Sequence, residues 1–303
     1  MDDAAPRAPA DAAFAAPLTV IRPSGTTLAT PVIFASPHSG RIYPASMLAA
    51  SRLGPDAIRR SEDALVDRLI AAAPGFGHTL ITAEIARAYL DVNREPWELD
   101  ASMFEDELPA FARSRTARVA AGLGAIARIV CEGQEIYARK LTFADAEARV
   151  RRVHQPYHAA LTALVADAKA AFGVCVLIDW HSMPAAAAPS GQGAIGYARA
   201  SEAFDVVLGD RFGVACSAGL TRFVERHLGG LGYRVARNAP YAGGYTTEHY
   251  GRPGRKVHAL QIELNRALYY DEASLSPTEG FARLQADLER FCAALAEADW
   301  RDI

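Results

Sequence analysis

The sequence predicts an α/β protein with one mixed central sheet flanked by helices. Segments with strand composition alternate with segments of helical periodicity from Val32 onward, and no repeat or low-complexity linker interrupts the alternation. The chain has 303 residues, of which 50% are hydrophobic, so it is long enough to bury one large core. We therefore assign residues 17–303 to a single domain and the Ala- and Pro-rich residues 1–16 to a flexible tail.

Three segments have the apolar periodicity of helices. The first is Pro55–Ala73, where apolar residues recur at helical spacing until a Pro-Gly pair ends the pattern. The second is Pro156–Ala171, which has proline near its first turn and glycine just past its end. The third is Pro277–Ala298.

Short apolar and β-branched runs between these helices predict strands. They are VIFA (32–35), HTLITAEIA (78–86), AYLDVN (88–93), VCVLID (174–179) and HALQIEL (258–264). Polar residues lie at or near the strand ends, where α/β sheets open a crevice to ligands. We therefore expect one site to contain His38, Asn93, Arg94, His181 and Glu263.

Composition excludes several classes of partner. The formal charge is −3 and the arginines are scattered, so the chain has no basic field for nucleic acid or anionic lipid. No run of ~18 apolar residues predicts a membrane span, and the acidic N-terminus does not resemble a signal peptide. The four cysteines, Cys131, Cys175, Cys216 and Cys292, are widely spaced, which predicts reduced thiols and a cytoplasmic location.

His38 and His181 are candidate metal ligands, because each follows or ends a hydrophobic strand. Catalytic zinc needs three protein ligands and an open position for water. A hydrogen-bonded structural role is the alternative for either histidine alone. A third ligand is available in Glu62 or Asp63, although both carboxylates also suit the early turns of a helix.

The DVNRE segment is a candidate anion-binding element. Arginine is the side chain best suited to bidentate capture of a carboxylate, which makes Arg94 a candidate, with Asn93 and Arg87 as neighbours. An acidic substrate is the prediction. The alternative is a structural ion pair of Arg94 with Glu95 or Glu98.

Glu263 lies between Ile262 and Leu264 in an otherwise apolar strand. An unpaired charge is costly there, so the carboxylate is either a general base tuned by its surroundings or half of a buried pair with an arginine such as Arg266.

Three other motifs do not indicate catalytic or cofactor sites. The segment 191–196, GQGAIG, has GxGxxG spacing, but no strand precedes it, so we interpret it as a mobile loop beside the site. His154 and His158 have a spacing of four without the glutamate of the zinc-protease motif, which favours capping or packing roles. No G-x-S-x-G elbow is present.

Six segments in order carry a resemblance to a known family. They are SPHSGRIYP (36–44), RRSEDALVDRLI (59–70), ARAYLDVNREPWELD (86–100), VLIDWHSMP (176–184), PYAGGYTTEHYG (240–251) and HALQIELNRALYYDE (258–272). Together they closely resemble the N-formylglutamate amidohydrolase family, also called N-formylglutamate deformylases. The resemblance implies a zinc-peptidase-like, phosphorylase/hydrolase-like α/β fold. It also implies metal-dependent hydrolysis of N-formyl-L-glutamate to formate and glutamate, a late step of histidine breakdown.

The resemblance also implies a zinc site. Its expected ligands are His38, Asp63 and His181, with Glu62 as the alternative to Asp63. Asp179, at the strand end, is expected either to orient His181 or to cap the strand. One departure from related zinc enzymes stands out. Their first histidine is followed three residues later by glutamate, whereas the third residue after His38 is an arginine.

The remaining roles follow the same resemblance. Glu263 is the expected general base, and Arg94, Asn93 and Arg87 are expected to bind a carboxylate of a small acidic N-acyl amino acid. Thr246, in a glycine-containing segment, is expected to contact the substrate.

Overall fold

A mixed seven-stranded sheet organises the described part of the chain. The computed structural model describes residues 16–24, 29–130, 133–185 and 204–300. The predicted tail apart from residue 16, the GQGAIG segment and Cys131 lie outside these ranges. No helix among the described residues is long and apolar enough to cross a membrane.

The strand order of the sheet is β1-β3-β2-β4-β7-β5-β6. The strands are β1 Leu18–Ile21, β2 Val32–Ser36, β3 Thr79–Ala83, β4 Cys175–Met183, β5 Val206–Gly209, β6 Val235–Arg237 and β7 Val257–Asn265. Strand β4 pairs in parallel with both β2 and β7, whereas β5 pairs antiparallel with β7 and parallel with β6. This confirms the mixed sheet. A separate antiparallel pair joins β8, Tyr270–Asp271, to β9, Ser276–Pro277.

Helices connect these strands. They are α1 Ala45–Ala50, α2 Pro55–Arg59, α3 Val66–Leu69, α4 Ala117–Ala120, α5 Phe143–Arg149, α6 Gln155–Phe172, α7 Ala218–Gly230, α8 Tyr245–Tyr250 and α9 Gly280–Glu297. A π-helical segment, Val150–His154, joins α5 to α6. The two long helices α6 and α9 confirm two of the three predicted helices.

The described residues form two compact units. The first unit contains residues 16–19, Pro37–Glu62 and Thr82–Leu161. The second contains the described parts of Val20–Ser36, Asp63–Ile81 and Thr162–Ile303, and with them most of the sheet.

One face of the central strands in the second unit packs into a large apolar cluster. Its members on β4 and β7 are Val176, Ile178, Trp180, Leu260, Ile262 and Leu264. Each such buried side chain contributes ~1.5–3 kcal/mol, which fixes the register of both strands. Because alternate residues of a strand point to opposite faces, the intervening residues share the other face. These are Asp179, His181, Gln261 and Glu263.

The predicted helix over Pro55–Ala73 is wrong in its middle. It is divided into α2 and α3, and Leu65 between them has a left-handed backbone with φ of 62°. The intervening Glu62 and Asp63 are both buried and hydrogen-bonded by side chains distant in the sequence. Those tertiary bonds outweigh the local helical preference.

Two predicted strands also differ in the structure. Residues 88–93 form turns rather than a strand, and their backbone bonds run to other loops, for example from Asp91 N to Ala125 O. Strand β4 extends to Met183, so His181 lies within the strand rather than after it.

The described cysteines agree with the prediction of reduced thiols. Cys175, Cys216 and Cys292 are free and buried. Burial raises the pKa of each of these thiols to about 12.

Candidate active site

His181 and Glu263 are neighbours across two parallel strands of the second unit. The register of β4 and β7 pairs His181 with Glu263 and Asp179 with Gln261. Glu263 is buried, and its Oε1 accepts a hydrogen bond from Gln261 Nε2 at 2.8 Å. The two strands therefore hold a histidine and a carboxylate side by side on the polar face of the sheet.

The ring nitrogens of His181 lie between two carboxylates. Nε2 is 3.0 Å from Asp179 Oδ2, and Nδ1 is 3.0 Å from Asp63 Oδ2. Burial alone lowers the pKa of His181, but the Asp179 charge, hydrogen bonds to Asp179 and Asp63 and the Glu263 charge raise it well above its usual value. This environment attracts positive charge.

Asp63 and Glu62 have different surroundings despite being adjacent. Asp63 Oδ2 lies 3.0 Å from His181 Nδ1. Glu62 Oε1 instead accepts hydrogen bonds from Tyr43 Oη at 2.6 Å and Arg59 Nε at 3.2 Å, and burial raises the pKa of its carboxyl group.

Asp91 organises the predicted anion-binding segment within the first unit. Its Oδ1 is 2.6 Å from His38 Nε2 and accepts a bond from Asn93 N at 2.8 Å, and its Oδ2 accepts one from Arg87 Nη2 at 2.6 Å. Burial raises the pKa of Asp91, but Arg87, His38 and Arg94 hold it well below its usual value. A carboxylate at Nε2 leaves Nδ1 as the ring nitrogen of His38 through which a metal would be bound.

Arg94 is held mainly by backbone oxygens rather than by Glu95 or Glu98. Its Nε donates to Leu123 O at 3.1 Å and its Nη1 donates to Asn93 O at 2.9 Å, and neither bond uses Nη2. Its nearest carboxylate oxygen in an ion pair is Asp91 Oδ2, 4.0 Å from Nε. The guanidinium is therefore fixed in direction by the loop that carries it.

The predicted ligands Asp63 and His181 lie in the second unit, and His38 lies in the first. Asp63 Oδ2 is 3.0 Å from His181 Nδ1, and all three side chains are buried. Two imidazole nitrogens and a carboxylate oxygen are the donor set of catalytic zinc sites, which keep a fourth position open for water. In both histidines Nε2 contacts an aspartate, the arrangement that orients a metal-binding imidazole. The side chains of His38, Asp63 and His181 therefore offer donor types that fit the predicted ion.

Thr246 is fully buried in α8 of the second unit. The preceding Gly243 has a φ of 127°, and a side chain there would approach Thr247 Oγ1 to 2.5 Å. Glycine is therefore required at this bend.

Comparison with known proteins identifies the family. The sequence model of the N-formylglutamate amidohydrolases matches residues 30–270. The chain belongs to the N-formylglutamate amidohydrolase family. The resemblance stated from the six segments is thereby confirmed.

Individual members of the N-formylglutamate amidohydrolase family agree. The N-formylglutamate deformylase of Pseudomonas aeruginosa is 28% identical over 247 residues, which cover 80% of this chain and 83% of the relative. That of Pseudomonas putida is 25% identical over 249 residues, covering 80% and 82%. The crystal structure of N-formylglutamate amidohydrolase from Ralstonia eutropha JMP134 has a TM-score of 0.84 and 37% identity, covering 95% of this chain and 100% of that one. This likeness confirms the single-domain α/β fold.

The sequence patterns of this family member assigned no role to Asp91 and predicted only capping or packing for His154 and His158. Asp91 accepts hydrogen bonds within the DVNRE loop. An aspartate two residues before Asn93 is the sequence feature that could have predicted this turn, because aspartate side chains commonly bind the backbone N–H two residues on. His154 and His158 contact the carbonyl oxygens of Arg94 and Val92 at 3.0 and 2.7 Å. These histidines support the loop, which is more specific than the capping or packing role predicted for them.

Proposed function

We propose that this protein hydrolyses the amide bond of N-formyl-L-glutamate to formate and L-glutamate in a metal-dependent reaction. The observation that supports the metal-dependent part is the buried His181, whose ring nitrogens contact Asp63 and Asp179 at 3.0 Å, in a chain of this family. The named relatives support the choice of substrate. The zinc-peptidase-like description of the fold remains a prediction.

Zn²⁺ is the ion that we assign, with His38, Asp63 and His181 as its proposed protein ligands. When bound, the ion lowers the pKa of water to about 7 and polarises the formyl oxygen. Asp91 and Asp179 orient the two histidines through their Nε2 atoms. The two aspartates thus fix the ring orientations of His38 and His181 without a bound metal.

Glu263 is the proposed general base and acid. Its carboxylate accepts a proton from the attacking water and returns it to the nitrogen of the departing glutamate, so hydrolysis consumes one water and yields formate and a free amine. Its place beside His181 in the strand register supports this role. The bond from Gln261 directs one carboxylate oxygen.

Arg94 is the proposed ligand of a substrate carboxylate, with Asn93, Arg87 and Thr246 assisting. The two backbone acceptors fix the Arg94 guanidinium, and its Nη2 takes part in neither bond. A fixed planar donor suits bidentate or paired capture of a carboxylate. Binding of this kind holds the formyl amide in place for attack.

A formate-release assay tests the proposal. The purified protein is stripped with a chelator, analysed for residual metal and reconstituted with Zn²⁺. We expect one zinc per chain and formate release from N-formyl-L-glutamate only in the reconstituted protein. N-acetyl- and N-succinyl-L-glutamate test the acyl group, and N-formyl-L-glutamine tests the need for the side-chain carboxylate.

The assay separates the alternatives. Hydrolysis of another acyl compound in preference to N-formyl-L-glutamate would assign a different N-acyl amino acid. Binding of N-formyl-L-glutamate without formate release would indicate a non-catalytic binding module. Full activity in protein shown to contain no metal would overturn the metal-dependent part alone.

A further inference from the structure

The two carboxylate oxygens of Asp63 have different partners. Oδ2 lies 3.0 Å from His181 Nδ1, whereas Oδ1 accepts a hydrogen bond from Arg266 Nη2 at 3.2 Å. The ion pair is buried, with side chains only 8% and 3% exposed for Arg266 and Asp63. A guanidinium bound to one oxygen directs the other oxygen toward the histidine.

The Arg266 guanidinium is itself held at its other nitrogens. Nε donates to Ser182 Oγ at 3.0 Å, and Nη1 donates to Glu272 Oε1 at 3.0 Å. Ser182 directly follows His181 on β4. Because the guanidinium is planar, these contacts fix the direction of the Nη2 bond to Asp63.

The same short segment also fixes the backbone beside Asp63. Arg266 begins a 3₁₀ turn, Arg266–Leu268, directly after β7. The next residue, Tyr269, is fully buried and donates from its hydroxyl to Ala64 O at 2.9 Å. The segment 266–269 therefore contacts both the side chain of Asp63 and the carbonyl oxygen of the next residue, Ala64. Both residues lie between α2 and α3, outside any regular helix.

Charge balance gives Arg266 a second reason to be there. Asp63 Oδ2 and Asp179 Oδ2 each lie 3.0 Å from a ring nitrogen of His181, and Glu263 is its partner in the strand register, so three carboxylates lie beside one histidine in the second unit. Buried carboxylates need compensating positive charge. Arg266 supplies one fixed positive charge directly on Asp63.

We propose that Arg266 is a positioning residue of the metal site. It binds Asp63 Oδ1 and thereby presents Oδ2 as a preformed single-oxygen ligand beside His181. This inference rests on the proposed function, since it assigns Asp63 as a ligand, and it adds a residue that touches neither metal nor substrate.

Zinc affinity of the metal-free protein tests the proposal without relying on turnover. Chelator-stripped wild type, Arg266→Met and Arg266→Lys are titrated with Zn²⁺ against a chromophoric competitor. Loss of a residue that orients a ligand weakens metal binding by roughly 10–100-fold, which is the change expected for Arg266→Met. Arg266→Lys keeps the charge but not the planar fork, so its affinity is expected to lie between those of the other two.

Arg59 provides a matched control. It too is a buried arginine bonded to a carboxylate, but its partner is Glu62. Arg59→Met is expected to lower stability and to retain wild-type zinc affinity. The rise in melting temperature on adding Zn²⁺ is measured for each variant, because this increment follows metal affinity rather than the stability of the metal-free fold.

The outcomes are distinct. Wild-type zinc affinity in Arg266→Met would overturn the positioning role while leaving the proposed function intact. If circular dichroism shows that Arg266→Met is unfolded, unchanged affinity in Arg266→Lys would overturn the role instead. A wild-type protein that binds no zinc would contradict the proposed metal site and, with it, this inference.

Discussion

His181 on β4 and Glu263 on β7 stand directly opposite each other in a parallel strand register. Both side chains are buried, and the apolar residues that flank them in sequence pack into the core on the other face of the sheet. The relationship is thus set by the packing of the central strands, which places a candidate ligand and a candidate base on rigid elements.

Replacement of Glu263 by glutamine tests the base. Glu263→Gln keeps the size of the side chain but removes its ability to accept a proton at neutral pH. We expect formate release to fall by at least ~10²-fold, the usual contribution of a general base. Zinc content is expected to remain at the wild-type level. Glu248→Gln, at a largely exposed glutamate paired with Arg211, is the control, and comparable activity in both variants would contradict the assignment.

Asp63 and Glu62 provide a matched pair for the metal ligand. Asp63→Asn removes the charge from the residue that contacts His181, whereas Glu62→Gln alters a carboxylate bonded to Tyr43 and Arg59. We expect Asp63→Asn to weaken zinc binding by more than the roughly 10–100-fold typical of residues that only orient a ligand. Glu62→Gln should bind zinc normally. The reverse pattern in a zinc titration would make Glu62 the ligand.

Arg94→Lys tests carboxylate binding. Lysine retains the positive charge but replaces the planar guanidinium, whose Nε and Nη1 donate to two backbone oxygens, with a single ammonium nitrogen. We expect Arg94→Lys to raise KM for N-formyl-L-glutamate by about 10–100-fold, which corresponds to the loss of one charge-assisted hydrogen bond. The change in kcat is expected to be smaller. Arg151→Lys, at an exposed position of the π-helical segment, is the control. An unchanged KM in Arg94→Lys would argue against the role.

The places of His38 and His181 near strands were predictable because these histidines follow or end strongly apolar runs. Hydrophobic patterns locate strands β2 and β4, and a polar residue at such a position carries a strong signal. The helical periodicity of α6 and α9 was equally clear. These predictions depend on local sequence alone.

The supporting contacts were not predictable in the same way. The bond between His38 and Asp91 joins residues 53 positions apart, and that between Arg266 and Asp63 joins residues 203 positions apart. No local periodicity records such pairs. Long-range bonds of this kind explain two of the departures from prediction, since they hold Glu62 and Asp63 out of a helix and residues near Asp91 out of a strand.

Stability toward acid is expected to depend on His78. Its fully buried ring lies 2.8 Å from Thr30 Oγ1 and 2.9 Å from Cys292 O. Burial lowers the pKa of His78 below its usual value, despite the bond to Cys292 O, which raises it. The unfolded chain therefore binds more protons than the folded chain at pH values below about 6.5, and the free energy of unfolding decreases as the pH falls through that region.

His78→Gln removes this titration. We expect a loss of about 1–3 kcal/mol in the free energy of unfolding at pH 8, because one buried partner loses its hydrogen bond. Between pH 7 and 5 the free energy of unfolding should fall less steeply than in wild type. Urea unfolding of metal-free protein at several pH values measures both effects. Thr30→Val is the control, because it removes a hydrogen-bond partner but retains the titrating ring, so the free energy of unfolding of this variant should keep the wild-type pH dependence. If the free energy of unfolding of His78→Gln falls with pH as steeply as that of wild type, His78 does not cause the pH dependence.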